Sequence, residues 1–137
     1  VLLLILVGSS IQAQSVISVK ISNLKNPSGR ILYSLFHAAE GFPDQPNKAF
    51  RRGVVPVSNQ LITFDIPAVP PGEYALALIH DLNNNGVLDV NRIGIPIESI
   101  GFSNNVMGAF GPPKFQRARF SVRPGKNPIE IRLRMGP

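Results

Sequence analysis

The stretch Asp81-Leu82-Asn83-Asn84-Asn85-Gly86-Val87-Leu88-Asp89 concentrates the oxygen chemistry of this chain. Asp81, Asn83, Asn85 and Asp89 carry side-chain oxygens at the spacing that lets one tight turn wrap hard ligands around Ca²⁺, and Val87 adds a backbone carbonyl. Gly86 stands where such a loop reverses sharply. Arg92 occupies the place of the bidentate glutamate of a helix–loop–helix calcium site, so a further carboxylate would have to come from Glu98. The same residues also support a plainer chemistry. Asn85-Gly86 is a strong turn signal, and Asp and Asn side chains cap their own backbone in turns. Both readings stand on the sequence.

Two histidines, His37 and His80, each close a predicted strand. With Asp81 and Glu98 they would suffice for a metal-dependent hydrolase, since two His and a carboxylate can make a facial triad. Capping a strand end by a hydrogen bond is the simpler role. The chain has no Cys, no Gly-x-Ser-x-Gly and no Ser set beside a His by sequence. Glu40 and Glu98 would meet as acid and base only by folding. The expectation is therefore a non-catalytic protein.

Fourteen basic against eight acidic residues give a formal net charge of +6. Much of that excess lies near the C-terminus. Arg117, Arg119, Arg132 and Arg134 alternate with apolar residues and are expected to form a ladder on two adjacent strands. Such a strip suits an anionic polysaccharide or another envelope component. It lacks the interleaved aromatics that single-stranded nucleic acid requires, so nucleic acid is not expected as a partner.

These residues need a scaffold, and period-two alternation supplies it. Ile17, Val19 and Ile21 alternate with Ser18 and Lys20; Ile31, Tyr33 and Leu35 follow, with Leu32 and Phe36 making that strand apolar on both faces. Further strands are read at Gly53–Val57, around Phe64, from Tyr74 to Leu78, from Ala118 to Val122, and from Ile129 to Leu133. That is about seven strands. Asn26-Pro27-Ser28-Gly29 and Arg123-Pro124-Gly125-Lys126-Asn127 read as tight links between antiparallel neighbours. A helical turn is expected at Asp44–Arg52, with Asp44 as its N-cap. With 12 Gly and 13 Pro, the chain suggests a single antiparallel β-sandwich of prealbumin-like or Ig-like kind. One long ordered loop, Asp81–Lys114, should pack at its end with the Ala38–Arg52 segment, making a rim shared by His37 and His80. Val1–Val7 is a solid apolar run followed by Gly8, Ser9, Ser10, Ile11, Gln12 and Ala13. It reads as a signal peptide, clipped at its start and ending at residue 13, with one domain over 14–137. No transmembrane segment is expected in the mature chain.

Several motifs occur in order along the chain. They are Gly41-Phe42-Pro43-Asp44, Val69-Pro70-Pro71-Gly72-Glu73-Tyr74-Ala75, and His80-Asp81 with Asn83, Asn85-Gly86 and Leu88-Asp89. Gly94-Ile95-Pro96 with Glu98, Gly101-Phe102-Ser103-Asn104-Asn105 and Phe110-Gly111-Pro112-Pro113 follow. The set resembles the exported bacterial family called domain of unknown function 2141, with Ser99-Ile100 where a Gly-Tyr pair is expected. The Pro-Gly-x-Tyr strand is also similar to transthyretin-like and carboxypeptidase-regulatory-like sandwiches, and no activity comes with either resemblance. The expected protein is an exported, periplasmic or secreted, binding or structural module. Its Asx-rich loop is calcium-stabilised through Asp81, Asn83, Asn85, Val87, Asp89 and Glu98. A glycan or envelope binder using the Arg ladder is the alternative.

Overall fold

The computed structural model describes residues 3–5 and 15–135, so most of the apolar run expected to be a signal peptide lies outside the described residues. Among the described residues nine strands form two sheets. The smaller has the order β4 (Ile62–Ile66), β1 (Ser15–Ser22), β8 (Gly125–Arg132). The larger runs β3 (Arg51–Pro56), β2 (Arg30–Phe36), β5 (Gly72–Asp81), β6 (Ser99–Phe102), β9 (Arg134–Met135). β7 (Phe120–Val122) pairs with the start of β5. No helix among the described residues is long and apolar enough to cross a membrane.

The core follows from the alternation. Ile17, Val19 and Ile21 of β1 and Ile62 and Ile66 of β4 turn inward from the smaller sheet. Ile31 and Leu35 of β2 and Tyr74, Leu76 and Leu78 of β5 meet them from the larger one. Each such side chain contributes about 1.5–3 kcal/mol by leaving water. Gly101 lets β6 close on this layer, because a Cβ there would lie 2.6 Å from Ile131 Cγ2 and 3.1 Å from Leu133 Cδ2.

The all-β expectation holds, and several finer expectations do not. β1 and β8 pair in parallel, from Ser15↔Gly125 to Ser22↔Arg132, so the fold is mixed rather than wholly antiparallel. The Asn26–Gly29 link joins β1 to β2 and the Arg123–Asn127 link joins β7 to β8; both cross between sheets. Asn127 makes the second crossing stable, since its carboxamide bonds Arg123 N and O, Gly125 O and Val16 O. The expected helical turn is a three-residue 3-10 turn, Pro46–Lys48, with Gln45 rather than Asp44 at its N-cap. Residues Phe115–Ala118 form a short helix, α1, ahead of β7.

The expected end loop also differs. It holds strand β6, paired through Ala77↔Phe102 and Ile79↔Ile100, and lies across the outer face of the larger sheet. There Ala77, Ile100 and Phe102 form a second apolar cluster with Phe42, Ile79, Leu88, Val106 and Met107. The physical reason is already visible in β2 and β5, whose outward residues Leu32, Phe36, Ala77 and Ile79 are apolar and need cover.

Candidate functional site

Asp81 ends β5 on the outer face, directly across from Arg30 at the start of β2. Its carboxylate is fully buried and accepts from Arg30 Nε at 2.9 Å, Gly86 N at 2.9 Å and Asn85 N at 3.1 Å. Burial by itself favours the protonated acid, but the Arg30 guanidinium and the two amides outweigh it and hold the carboxyl below its ordinary value. Gly86, at φ +81°, supplies the left-handed turn that brings its amide back to Asp81.

The remaining loop residues close on one another. Asn83 Nδ2 donates to Asp89 Oδ2 at 2.7 Å, and Asn85 Nδ2 donates to Asp89 Oδ1 at 2.8 Å. The Asn83 and Asn85 oxygens accept from Asn85 N and Val87 N, at 3.3 and 3.2 Å. Val87 lies on the exposed side of the turn. Glu98 is buried and faces the loop backbone, accepting from Leu82 N at 2.8 Å and Asp89 N at 3.0 Å. It therefore pins both flanks of the turn. Among the described residues no three His, Asp or Glu side chains are grouped as a ready metal site. Asp81, Asn83, Asn85 and Asp89 are thus brought together, as the spacing suggests, while Glu98 is committed to amides.

The two histidines are not brought together. β2 and β5 are antiparallel neighbours, so His37 just past the end of β2 and His80 near the end of β5 lie at opposite ends of the strand pair. From the register, the two lie about six residues apart along the strands, or about 20 Å. His80 is buried on the core face, with Nε2 2.7 Å from Ser28 O. His37 sits 4.5 Å from the Tyr74 ring, with Nδ1 2.9 Å from Glu73 O. Each serves its own strand end, and the shared rim does not form. Glu40 bonds Lys48 at 2.7 Å and is not joined to Glu98.

The expected ladder on two adjacent strands does not form. Arg117 lies in α1, Arg119 before β7, Arg132 in β8 and Arg134 in β9; β7 pairs with β5 and β8 with β1. Asn104 and Asn105 hold this segment instead. Asn104 Nδ2 donates to Arg117 O and Arg119 O, and Asn105 Oδ1 accepts from Arg132 N. Ser103 Oγ accepts from Leu76 N at 2.9 Å and donates to Ala118 O at 2.5 Å. The Ser103-Asn104-Asn105 motif is a staple between β5, α1 and β8.

The long loop and the 38–50 segment do meet, but on the outer face. Phe42 packs at 5.3 Å from Phe36, 6.1 Å from Phe102 and 6.0 Å from Phe115. Between these segments and the outer face of β2, β3, β5 and β6 runs a groove of about 1260 Å³. Arg30 and Arg52, which no sequence motif marks, both line it. Leu32 beside Arg30, in a strand apolar on both faces, was the available signal.

A two-sheet all-β domain with a loop folded over one outer face defines the class. Within it, residues 19–130 match the family model described as an uncharacterized protein conserved in bacteria (DUF2141), and the chain belongs to that family. Comparison with curated proteins and with solved structures gave no match.

Proposed function

We propose that this is an exported, non-catalytic binding module on a sandwich scaffold of the prealbumin-like or Ig-like type. Its working part is the Asp81–Lys114 segment laid across the larger sheet. The observation that carries the reading is the groove beneath that segment, about 1260 Å³ and walled by apolar side chains. The separation of His37 from His80 supports the absence of a catalytic centre.

In this reading Ca²⁺ strengthens the loop. Asn83, Asn85 and Asp89 converge within hydrogen-bond distance. Half-turns of the two carboxamides would turn their oxygens toward the ion beside Asp89, with Asp81 and the Val87 carbonyl as the remaining proposed ligands. So few carboxylates fit the weak affinity of extracellular calcium modules, on the order of 10⁻⁴ to 10⁻³ M. At a tenfold excess over the dissociation constant the ion stabilises by about 1.4 kcal/mol, or about 5 °C in melting temperature. The test is a thermal melt in millimolar CaCl₂ against EDTA, on wild type and on Asp89→Ala. A shift in wild type that the variant loses supports the ion. No shift leaves a self-capped turn, and an equal shift in both proteins removes these ligands.

A further inference from the structure

We infer that the groove on the outer face is a binding site for a single-chain amphiphile, its apolar tail lying across the strands and a carboxylate head held by Arg52. The inference rests on the binding-module reading and names its ligand class.

The register of the larger sheet builds the floor. Val54 pairs with Leu32, Leu32 with Ile79, and Ile79 with Ile100, so one unbroken apolar row crosses four strands. At the usual strand spacing that row is about 14 Å long. It passes from Ile100, buried under the loop, to Val54, which is half exposed at the open edge. The rim is apolar too. Val87, Val90 and Phe110 are among the exposed large apolar side chains, and all three border this groove. Apolar surface gathered around one concavity, rather than scattered, marks a site that something covers. A concave apolar slot with few polar groups is the pattern of a small-molecule site rather than a flat protein interface.

The next row carries the head-group chemistry. Arg52 and Ser34 face each other across β3 and β2, and Ser34 is opposite Ala77. Three charged side chains line the groove: Arg30, Asp44 and Arg52. Arg30 is neutralised by Asp81. Asp44 is exposed on the wall that precedes β3, and Arg52 makes no ion pair among the described residues. A free guanidinium beside a hydroxyl, at the polar margin of an apolar trough, fits a carboxylate, which it can bind with two parallel N–H donors. The tail would then lie along Leu32, Ile79 and Ile100.

The test is a fluorescence titration of the whole chain with an anthroyloxy-labelled stearate and with its methyl ester, both below micelle-forming concentration. Wild type should bind the acid saturably at one per chain and at least tenfold more tightly than the ester. Arg52→Ala, a surface change, should bring that preference below twofold with ester affinity unchanged. Val54→Glu, also at the surface, should weaken both ligands. Equal affinity of wild type for acid and ester, no saturable binding of either, or a preference kept by Arg52→Ala overturns the inference. So does self-association seen by sedimentation velocity that Val54→Glu abolishes, because a second copy would then cover the groove. A calcium-dependent melting shift with no amphiphile bound defeats this inference alone and leaves the calcium-stabilised module standing.

Discussion

The buried Asp81 carboxylate is held by two amides from its own loop and by the Arg30 guanidinium from the neighbouring strand. The motif gives Asp81 the amides of Asn85 and Gly86, because those lie within one turn of chain. Arg30 reaches it only because β2 and β5 pair with Arg30 opposite Asp81. Replacing Asp81 by Ala leaves the guanidinium and two amides without their acceptor, at a cost of about 2–4 kcal/mol measured by urea unfolding. Arg30 is partly solvated, which keeps the loss toward the lower end. The carboxyl is held below its ordinary value of 3.8 in the folded state. Its contribution is therefore complete above the unfolded-state value and is lost as pH falls through the lower folded one. Wild type should lose stability below about pH 4 more steeply than Asp81→Asn, a difference that unfolding at stepped pH reads directly.

At the scale of elements, Glu98 and Gly101 decide how the loop lies. Glu98 bridges Leu82 N and Asp89 N, so Glu98→Ala should open the turn without unfolding the sheets. Hydrogen exchange at Leu82 and Asp89 should rise at least tenfold while β1 amides stay protected, the pattern of a local opening. Equal acceleration throughout would place Glu98 in the global fold instead. Gly101 sits against Ile131 and Leu133 with no room for a methyl group. Gly101→Ala should cost about 1–3 kcal/mol by forcing β6 away from β8, seen as a lower denaturation midpoint at unchanged slope. Neither role was readable beforehand, since β6 is only four residues long and lay inside what read as a loop.

For the whole molecule, fourteen basic residues carry the net charge of +6, and only four of them belong to the expected strip. The arginines at 117, 119, 132 and 134 belong to different elements, and Arg119 faces Glu73 at 3.8 Å. Exposed charges act over a screening length of about 8 Å at physiological salt. Retention on a heparin-like column should thus be salt-sensitive. It should fall by similar amounts when these four become Gln and when Lys20, Lys25, Arg123 and Lys126 become Gln. A selective collapse with the first set would restore a localised anion site.

Alternation of side chains along Ile17–Ile21, Ile31–Leu35, Ile62–Ile66 and Tyr74–Leu78 determined the strands and the core face, because a period of two is a local property of extended backbone. The turn at Asp81–Asp89 was likewise local, held by bonds spanning a few residues. Pairing is not local. Alternation does not say which strand lies beside which, or in which direction, so the parallel β1–β8 pair, the distance between His37 and His80 and the division of the arginines among α1, β8 and β9 came only with the tertiary structure. The groove belongs to the same class. Leu32 and Ile79 announced a second apolar face, but only the register lined them up with Val54 and Ile100 and set Arg52 in the row beside them.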